Sequence, residues 1–353
     1  MHHHTMLKPL TGLFFTLSFF LASCDRVEPI HTIVGFAQGT TYSIKFWQPE
    51  FEPDNIHEIQ RLVDDEIARI DQLISNYRDD SVIAAFNQMK IANRPIQLDA
   101  EILALLDKAE QVYQQSNGCY DPTIKPLFDL WGFKDKTLAI PPEKTLTHTL
   151  DAIGFDRFIR QGDTFTKPHP QMTIDLSAIG QGYAIEQLAT LLSQQNIHNY
   201  LIEIGGEMLI SGAKPDSKPW RIGIERPAPN SQTFDEVIEL VGTGPLAVMT
   251  SGTYRHYYDK DGKKYSHILD PRTGKPVEHD TVSVVVLLND ATYADAWSTA
   301  LLCLGSEAGM TVANNANIPA IFYRLNNDNS QNNALIRLTS HAINQDNAPW
   351  RIE

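Results

Sequence analysis

The chain has 353 residues, 42% of them apolar and 20% charged, and its formal net charge is −14. So acidic a chain is a poor binder of phosphate backbones, which excludes nucleic acid as a partner, although a local basic spot can still hold a small phosphorylated ligand. The apolar content supports a large core, in one large or two modest domains.

The first residues read as an address. After Met1 to His4, which look like vector or upstream sequence, Met6 and Lys8 open a basic region, and an apolar run follows over residues 10–21. That run is too short to span a bilayer comfortably and ends in Leu21-Ala22-Ser23-Cys24. The pattern resembles a bacterial lipoprotein signal over residues 1–23, with Cys24 lipidated as the first mature residue; a plain secretory peptide with a chance cysteine is the alternative. Acyl chains would then tether residues 24–353 to a membrane without threading them through it. Asp25 resembles the signal that keeps such lipoproteins on the inner membrane, so the expected place is its periplasmic side.

In the body of the chain, residues 41–46 alternate polar and apolar as a strand does, just after Gly35-Phe36-Ala37-Gln38-Gly39, where glycines make a bulge or admit a ligand to the backbone. Apolar residues recur at helical spacing over 56–74, Ser81 caps a short helix with Val82, Ile83 and Phe86, and Asp99 caps another that runs to Gln115. The loop Cys119-Tyr120-Asp121-Pro122-Thr123, stiffened by Pro122 and Pro126, is a candidate ligand wall, and residues 134–149 read as a surface excursion. Cys119 and Cys303 could pair in an oxidising compartment; the apolar run around Cys303 favours a buried small hydrophobe instead.

A short strand is expected over 172–176, turned by Gly180 and Gly182 into a helix to Gln194, an order that presents free N–H groups to anions. It lacks part of the dinucleotide fingerprint of doubly wound folds. The double glycine Gly205-Gly206 reads as a bulge, or as a close approach of something to the backbone, within a strand that Met208 continues. Further strands follow at 220–225 and 237–241, and residues 246–252 lead to a hairpin around Asp261-Gly262. That hairpin delivers residues 265–276, which place His267, Asp270, Arg272, Thr273 and Lys275 on a proline- and glycine-bounded turn. A histidine that can take a proton near neutral pH, followed by cations, suits attack on a phosphoryl group; a solvated hairpin tip is the bland alternative.

Residues 282–288 read as a buried strand, and a helix begins at Ala291 and closes at Gly305. Asp295 and Thr299, four apart, share a helix face with Ser298 beside them, a set of oxygens suited to magnesium; an aspartate that merely stabilises a helix dipole is the alternative. Many short strands joined by hairpins, with helices between but no regular βαβ alternation, predict an α+β fold with a mainly antiparallel sheet core and covering helices.

Taken together, Gly39-Thr40-Thr41, Ser75 with Tyr77, Tyr120 to Thr123, Leu130-Trp131-Gly132, Asp175-Leu176-Ser177 with Gly180 to Tyr183, Gly205-Gly206-Glu207, Thr250-Ser251-Gly252 with Tyr254-Arg255, His267 to Gly274, and Ala294-Asp295-Ala296 with Thr299 resemble, in order, the ApbE-type FAD:protein FMN transferases. The resemblance covers nearly the whole mature chain and implies a T-fold-like architecture, a periplasmic setting and Mg²⁺ dependence. It implies that FAD is cleaved at its pyrophosphate, AMP leaves, and FMN becomes esterified to a Ser or Thr of an acceptor protein. By the same resemblance His267 is the base, Asp295, Thr299, Ser298 and the Ala178 carbonyl are metal ligands, and Gln38, Tyr77, Cys119, Tyr120, Asp121, Asp175, Gln181 and Leu269 meet FAD. Ser298 departs from the acid often found there, Gln38 from a methionine and Cys119 from a smaller residue. Arg255 and Arg272 either steady phosphate or pair with local acids. Acceptors are expected among electron-transfer or sodium-pump subunits. An FAD pyrophosphatase and a non-catalytic FAD-binding lipoprotein are the competing expectations.

Overall fold

The computed structural model describes residues 28–133, 137–227, 233–253, 257–260, 263–326 and 334–353. The signal segment with Cys24, the Arg255 position and the hairpin tip at Asp261 and Gly262 lie outside the described residues. Along the chain come β1 (His31–Ala37), β2 (Thr40–Trp47), α1 (Ile56–Ile74), α2 (Val82–Gln88), β3 (Pro95–Gln97), α3 (Ala100–Gln115), α4 (Lys125–Trp131), α5 (Glu143–Leu150), β4 (Ile159–Gln161), β5 (Thr164–Thr166) and α6 (Ser177–Gln194). Then follow β6 (Asn199–Ile204), β7 (Glu207–Ser211), β8 (Arg221–Glu225), β9 (Phe234–Leu240), β10 (Leu246–Gly252), β11 (Tyr257–Lys260), β12 (Lys263–Ser266), β13 (Leu269–Asp270), β14 (Lys275–Pro276), β15 (Thr281–Leu288), α7 (Ala291–Asn315), β16 (Ala320–Leu325), β17 (Leu335–Thr339) and β18 (Trp350–Ile352).

An eight-stranded antiparallel sheet, ordered β1-β2-β6-β7-β10-β15-β16-β17, forms the centre, so the expected α+β class is what the chain adopts. Strand alternation sends Tyr42, Ile44 and Phe46 of β2 and Ile202 and Ile204 of β6 into one core with α1, α3, α6 and α7. The opposite face buries Ile210, Val248, Val285 and Leu287 against the small sheet β18-β9-β8. Because β15 is covered on both sides, it reads as a continuous apolar run without alternation.

Several sequence expectations are corrected. Residues 172–176 form no strand: the Asn87 side-chain amide pairs with both backbone groups of Ile174, at 2.7 and 2.8 Å, and so takes the place of a neighbouring strand. Gly205 and Gly206 make no bulge; with φ of 62° and 102° they are the two-residue turn of the β6–β7 hairpin, whose register pairs Ile204 with Glu207. The stretch expected to run over the surface is mostly exposed over 137–149, but it contains α5, whose Leu146 is buried with Leu127, Trp131 and Leu269 beneath the 267–276 turn. The expected helix does break at Gly305, at φ 72° and ψ 172°, but a second helical segment follows to Asn315, and the His279 ring would meet any Cβ at Gly305 at 2.7 Å.

Candidate active site

A cleft of about 1030 Å³ opens beside the sheet, where the β1–β2 and β6–β7 turns, the 119–125 loop, the first turns of α6 and α7, and the 267–269 segment meet. Tyr77, Cys119, Tyr120, Asp121, Asp175, Ala178, Gln181, His267, Leu269, Asp295 and Thr299 all line it. Residues up to 222 positions apart in sequence, Tyr77 and Thr299, are thus gathered on one surface. Gln38 and Ser298 do not line it. The Gln38 side chain donates to the Gly180 carbonyl at 3.2 Å, and Ser298 is fully buried, its hydroxyl 2.8 Å from the Ser251 hydroxyl and donating to the Asp295 carbonyl.

The geometry of the acidic end follows from close packing of α6 on α7. Gly182 allows it: a Cβ there would lie 2.2 Å from the Ala291 carbonyl oxygen and 2.7 Å from Asp295 Cβ. The Gly182 N–H, whose ordinary helical acceptor is the Ala178 carbonyl, donates to Asp295 Oδ2 at 2.8 Å. Asp295 is thereby brought to the helical turn that Ala178 heads. Burial pushes the Asp295 carboxyl up to about 7, against the lowering effect of the Gly182 and Gln181 N–H groups.

Glu207 is the acid that sequence reasoning passed over. It is 7% exposed, lines the cleft, and accepts from the Thr250 N–H at 2.8 Å. Burial first, and then the nearby Asp295 charge, drive its carboxyl well above the usual range. An acid directly after a two-glycine hairpin, facing into the core, was the available signal. Among the described residues neither Asp295 nor Glu207 has a Lys or Arg ion-pair partner. Two buried carboxylates without a cation, beside the Thr299 hydroxyl and the Ala178 turn, form a hard-oxygen set that fits a divalent cation such as Mg²⁺.

The opposite wall is loop 119–125. Asp121 accepts from the Thr123 N–H and hydroxyl at 2.7 and 2.6 Å, yet burial still pushes its carboxyl up to about 6. Tyr120 is buried and its hydroxyl makes no hydrogen bond among the described residues, an orphaned polar atom at a ligand surface. Phe128, Phe133 and Tyr258 add an aromatic wall, with Phe133 and Tyr258 stacked at 5.2 Å. Cys119 and Cys303 form a disulfide, which corrects the expectation of an isolated buried thiol. Thr299 and Cys303 are four apart on α7, so Cys303 faces the cleft where the loop passes.

His267 comes from a rigid turn. The Asp270 carbonyl accepts from Thr273 and Gly274 N–H groups, Trp131 Nε1 donates to the Gly274 carbonyl at 2.8 Å, and the Arg272 guanidinium pairs with Asp270 at 2.8 Å. Of the two uses considered for Arg272, pairing with a local acid is the one seen.

Known proteins share this arrangement. The family model described as "ApbE family" matches residues 38–322. Proteins named FAD:protein FMN transferase from Vibrio cholerae and Haemophilus influenzae are 35% and 30% identical, over 85% and 92% of this chain and 89% and 95% of theirs. The solved flavin transferase ApbE of Vibrio cholerae superposes with a TM-score of 0.78 at 32% identity, covering 89% of this chain and 98% of that one. The apo flavinyl transferase ApbE of Pseudomonas stutzeri gives 0.77 at 28% identity, over 90% and 96%. With the family match spanning most of the sequence, the chain belongs to the ApbE family.

Proposed function

We propose that the protein is an FAD:protein FMN transferase that moves FMN from FAD to a Ser or Thr hydroxyl of an acceptor protein and releases AMP. The observation that carries this reading is the convergence of His267, Asp295 and Thr299 with the Tyr120–Asp121 wall on one cleft in an ApbE-family chain. An alcohol is a weak nucleophile until its proton is removed. His267 takes that proton as the acceptor oxygen bonds to the FMN-side phosphorus, and the bond from that phosphorus to the bridging oxygen breaks so that AMP departs. Mg²⁺, when bound, supplies charge neutralisation at the diphosphate. Asp295, Thr299 and the Ala178 carbonyl would hold it, with the buried Glu207 lining the cleft beside Asp295. Ser298 is better read as a support for Asp295 and Ser251 than as a ligand.

The protein is a periplasmic lipoprotein anchored through Cys24 in this reading. The apolar run that ends at Cys24 supports it, and so does the Cys119–Cys303 bond, which persists in oxidising compartments. Acceptors are electron-transfer or sodium-pump subunits that expose a Ser or Thr on the same side of the membrane.

Incubation with FAD, Mg²⁺ and such an acceptor, followed by intact-mass measurement, tests the function. The expected result is an acceptor heavier by one FMN phosphoester together with AMP. AMP and free FMN without an adduct would make the protein a pyrophosphatase, and binding without turnover a flavin carrier.

A further inference from the structure

The Cys119–Cys303 disulfide is a covalent tie between two parts of the site, the 119–123 loop and α7, which also share the main core through Tyr120. Cys119 opens the loop that sets Tyr120 and Asp121 against the cleft. Cys303 stands four residues beyond Thr299 and eight beyond Asp295, so the three side chains form one row along α7, and all three line the cleft. The loop's own anchors lie elsewhere: Tyr120 N–H donates to Ser116 Oγ, Asp175 N–H to the Pro122 carbonyl, and Gly154 N–H to Thr123 Oγ1. Among the described residues no hydrogen bond or ion pair runs from residues 119–123 to α7. The bond also sits under the turn that bears His267, since an Asp270 carboxylate oxygen lies within 4.8 Å of both sulfurs.

We propose that this disulfide is a positioning element for FAD. It holds the Tyr120–Asp121 wall at a fixed separation from the Asp295 and Thr299 oxygens, so that a ligand reaching both sides meets a pre-set gap. The inference rests on the transferase reading and adds to it a pair of residues that act through their neighbours. Opening the bond leaves the loop anchored at its own base and by buried Tyr120, but without its covalent tie to α7 at Cys303. FAD must then restore that separation on binding, which weakens it about tenfold, the cost of ordering one or two side chains. The chemical step, which depends on His267 once FAD is seated, keeps its rate.

Opening the bond is an ordinary exchange. A dithiol loses two protons and two electrons and becomes a disulfide, while the S–S bond between Cys119 and Cys303 breaks and each sulfur leaves as a thiol.

The test uses the full chain in three forms: oxidised, treated with dithiothreitol, and as the Cys119→Ala/Cys303→Ala double variant with and without dithiothreitol. FAD titration by flavin fluorescence gives Kd, and acceptor flavinylation gives KM and kcat. We expect Kd and KM for FAD to rise about tenfold on reduction and equally in the double variant, with kcat within about twofold, and dithiothreitol to leave the double variant unchanged. Cys24 is present in every form, so its chemistry cancels. Reduction of the native chain keeps both side chains in place, which separates loss of the bond from poor folding of the variant. Equal Kd in the oxidised and reduced protein overturns the proposal. So does a fall in kcat at unchanged KM with a lower Tm, the signature of a bond that only stabilises the fold. No FAD binding in any form would contradict the transferase reading itself, and the inference with it.

Discussion

The Gly182 amide donates to Asp295 Oδ2 at 2.8 Å across the line where α6 meets α7, and only a residue without a Cβ lets the two come so close. A methyl group at Gly182 would stand 2.2 Å from the backbone oxygen of Ala291, which no side-chain rotation relieves. Gly182→Ala is therefore expected to destabilise the protein by about 3 kcal/mol or more, the upper end of overpacking costs. Chemical denaturation would check it, and a variant with unchanged midpoint would show that the helices can part cheaply.

Asp295 links metal affinity to pH. Its folded carboxyl holds a proton up to about pH 7, against 3.8 unperturbed, so in the metal-free protein the group's contribution to stability is full below pH 3.8 and lost as the pH rises through about 7. Mg²⁺ competes with that proton, so its affinity should fall as the pH drops below 7. Asp295→Asn should raise the Mg²⁺ concentration for half-maximal activity by about a hundredfold or more, with little pH dependence left. Calorimetric Mg²⁺ titration at pH 6 and pH 8 is the check.

Ser298→Ala separates support from ligation. The hydroxyl bonds Ser251 and the Asp295 carbonyl, so its loss should cost about 1 kcal/mol of stability and leave Mg²⁺ dependence nearly unchanged. A large rise in the Mg²⁺ requirement would place Ser298 in the metal shell after all.

Much of this arrangement was legible in the chain. The apolar periods of α1 and α3, the capping Ser81 and Asp99, and the unbroken run of β15 each follow from burial on one face or on two. Asp295 and Thr299 were legible because helical spacing alone puts them together. What was hidden depends on partners distant in sequence. Asn87 standing in for a strand beside Ile174, the pairing of cysteines 184 residues apart, and the inward turn of Glu207 beside Asp295 are decided by tertiary packing, and no local pattern encodes them. The break at Gly305 was legible from the glycine itself; that it makes room for the His279 ring, and that a second helical segment follows it, was not.

Lys167 carries a stability forecast away from the site. It is fully buried, donates to the Phe86 and Met89 carbonyls at 2.7 and 3.0 Å beyond α2, and lies 4.3 Å above the Phe86 ring. Lys167→Met would leave the Met89 carbonyl without its partner and the Phe86 carbonyl with only the Met89 N–H, at a cost of about 2 kcal/mol, without altering FAD binding. Thermal melting with a parallel FAD titration would reveal a shared loss of both if the residue served the cleft.

The central claim is that His267 removes the acceptor proton in a cleft that already holds FAD. The most direct measurement follows FAD binding and single-turnover flavinylation in His267→Ala beside the native chain, at saturating Mg²⁺. The account expects unchanged FAD affinity and a rate of adduct formation lower by about 10² to 10⁴. Adduct formation at the native rate, or loss of FAD binding as large as the loss of transfer, would contradict it.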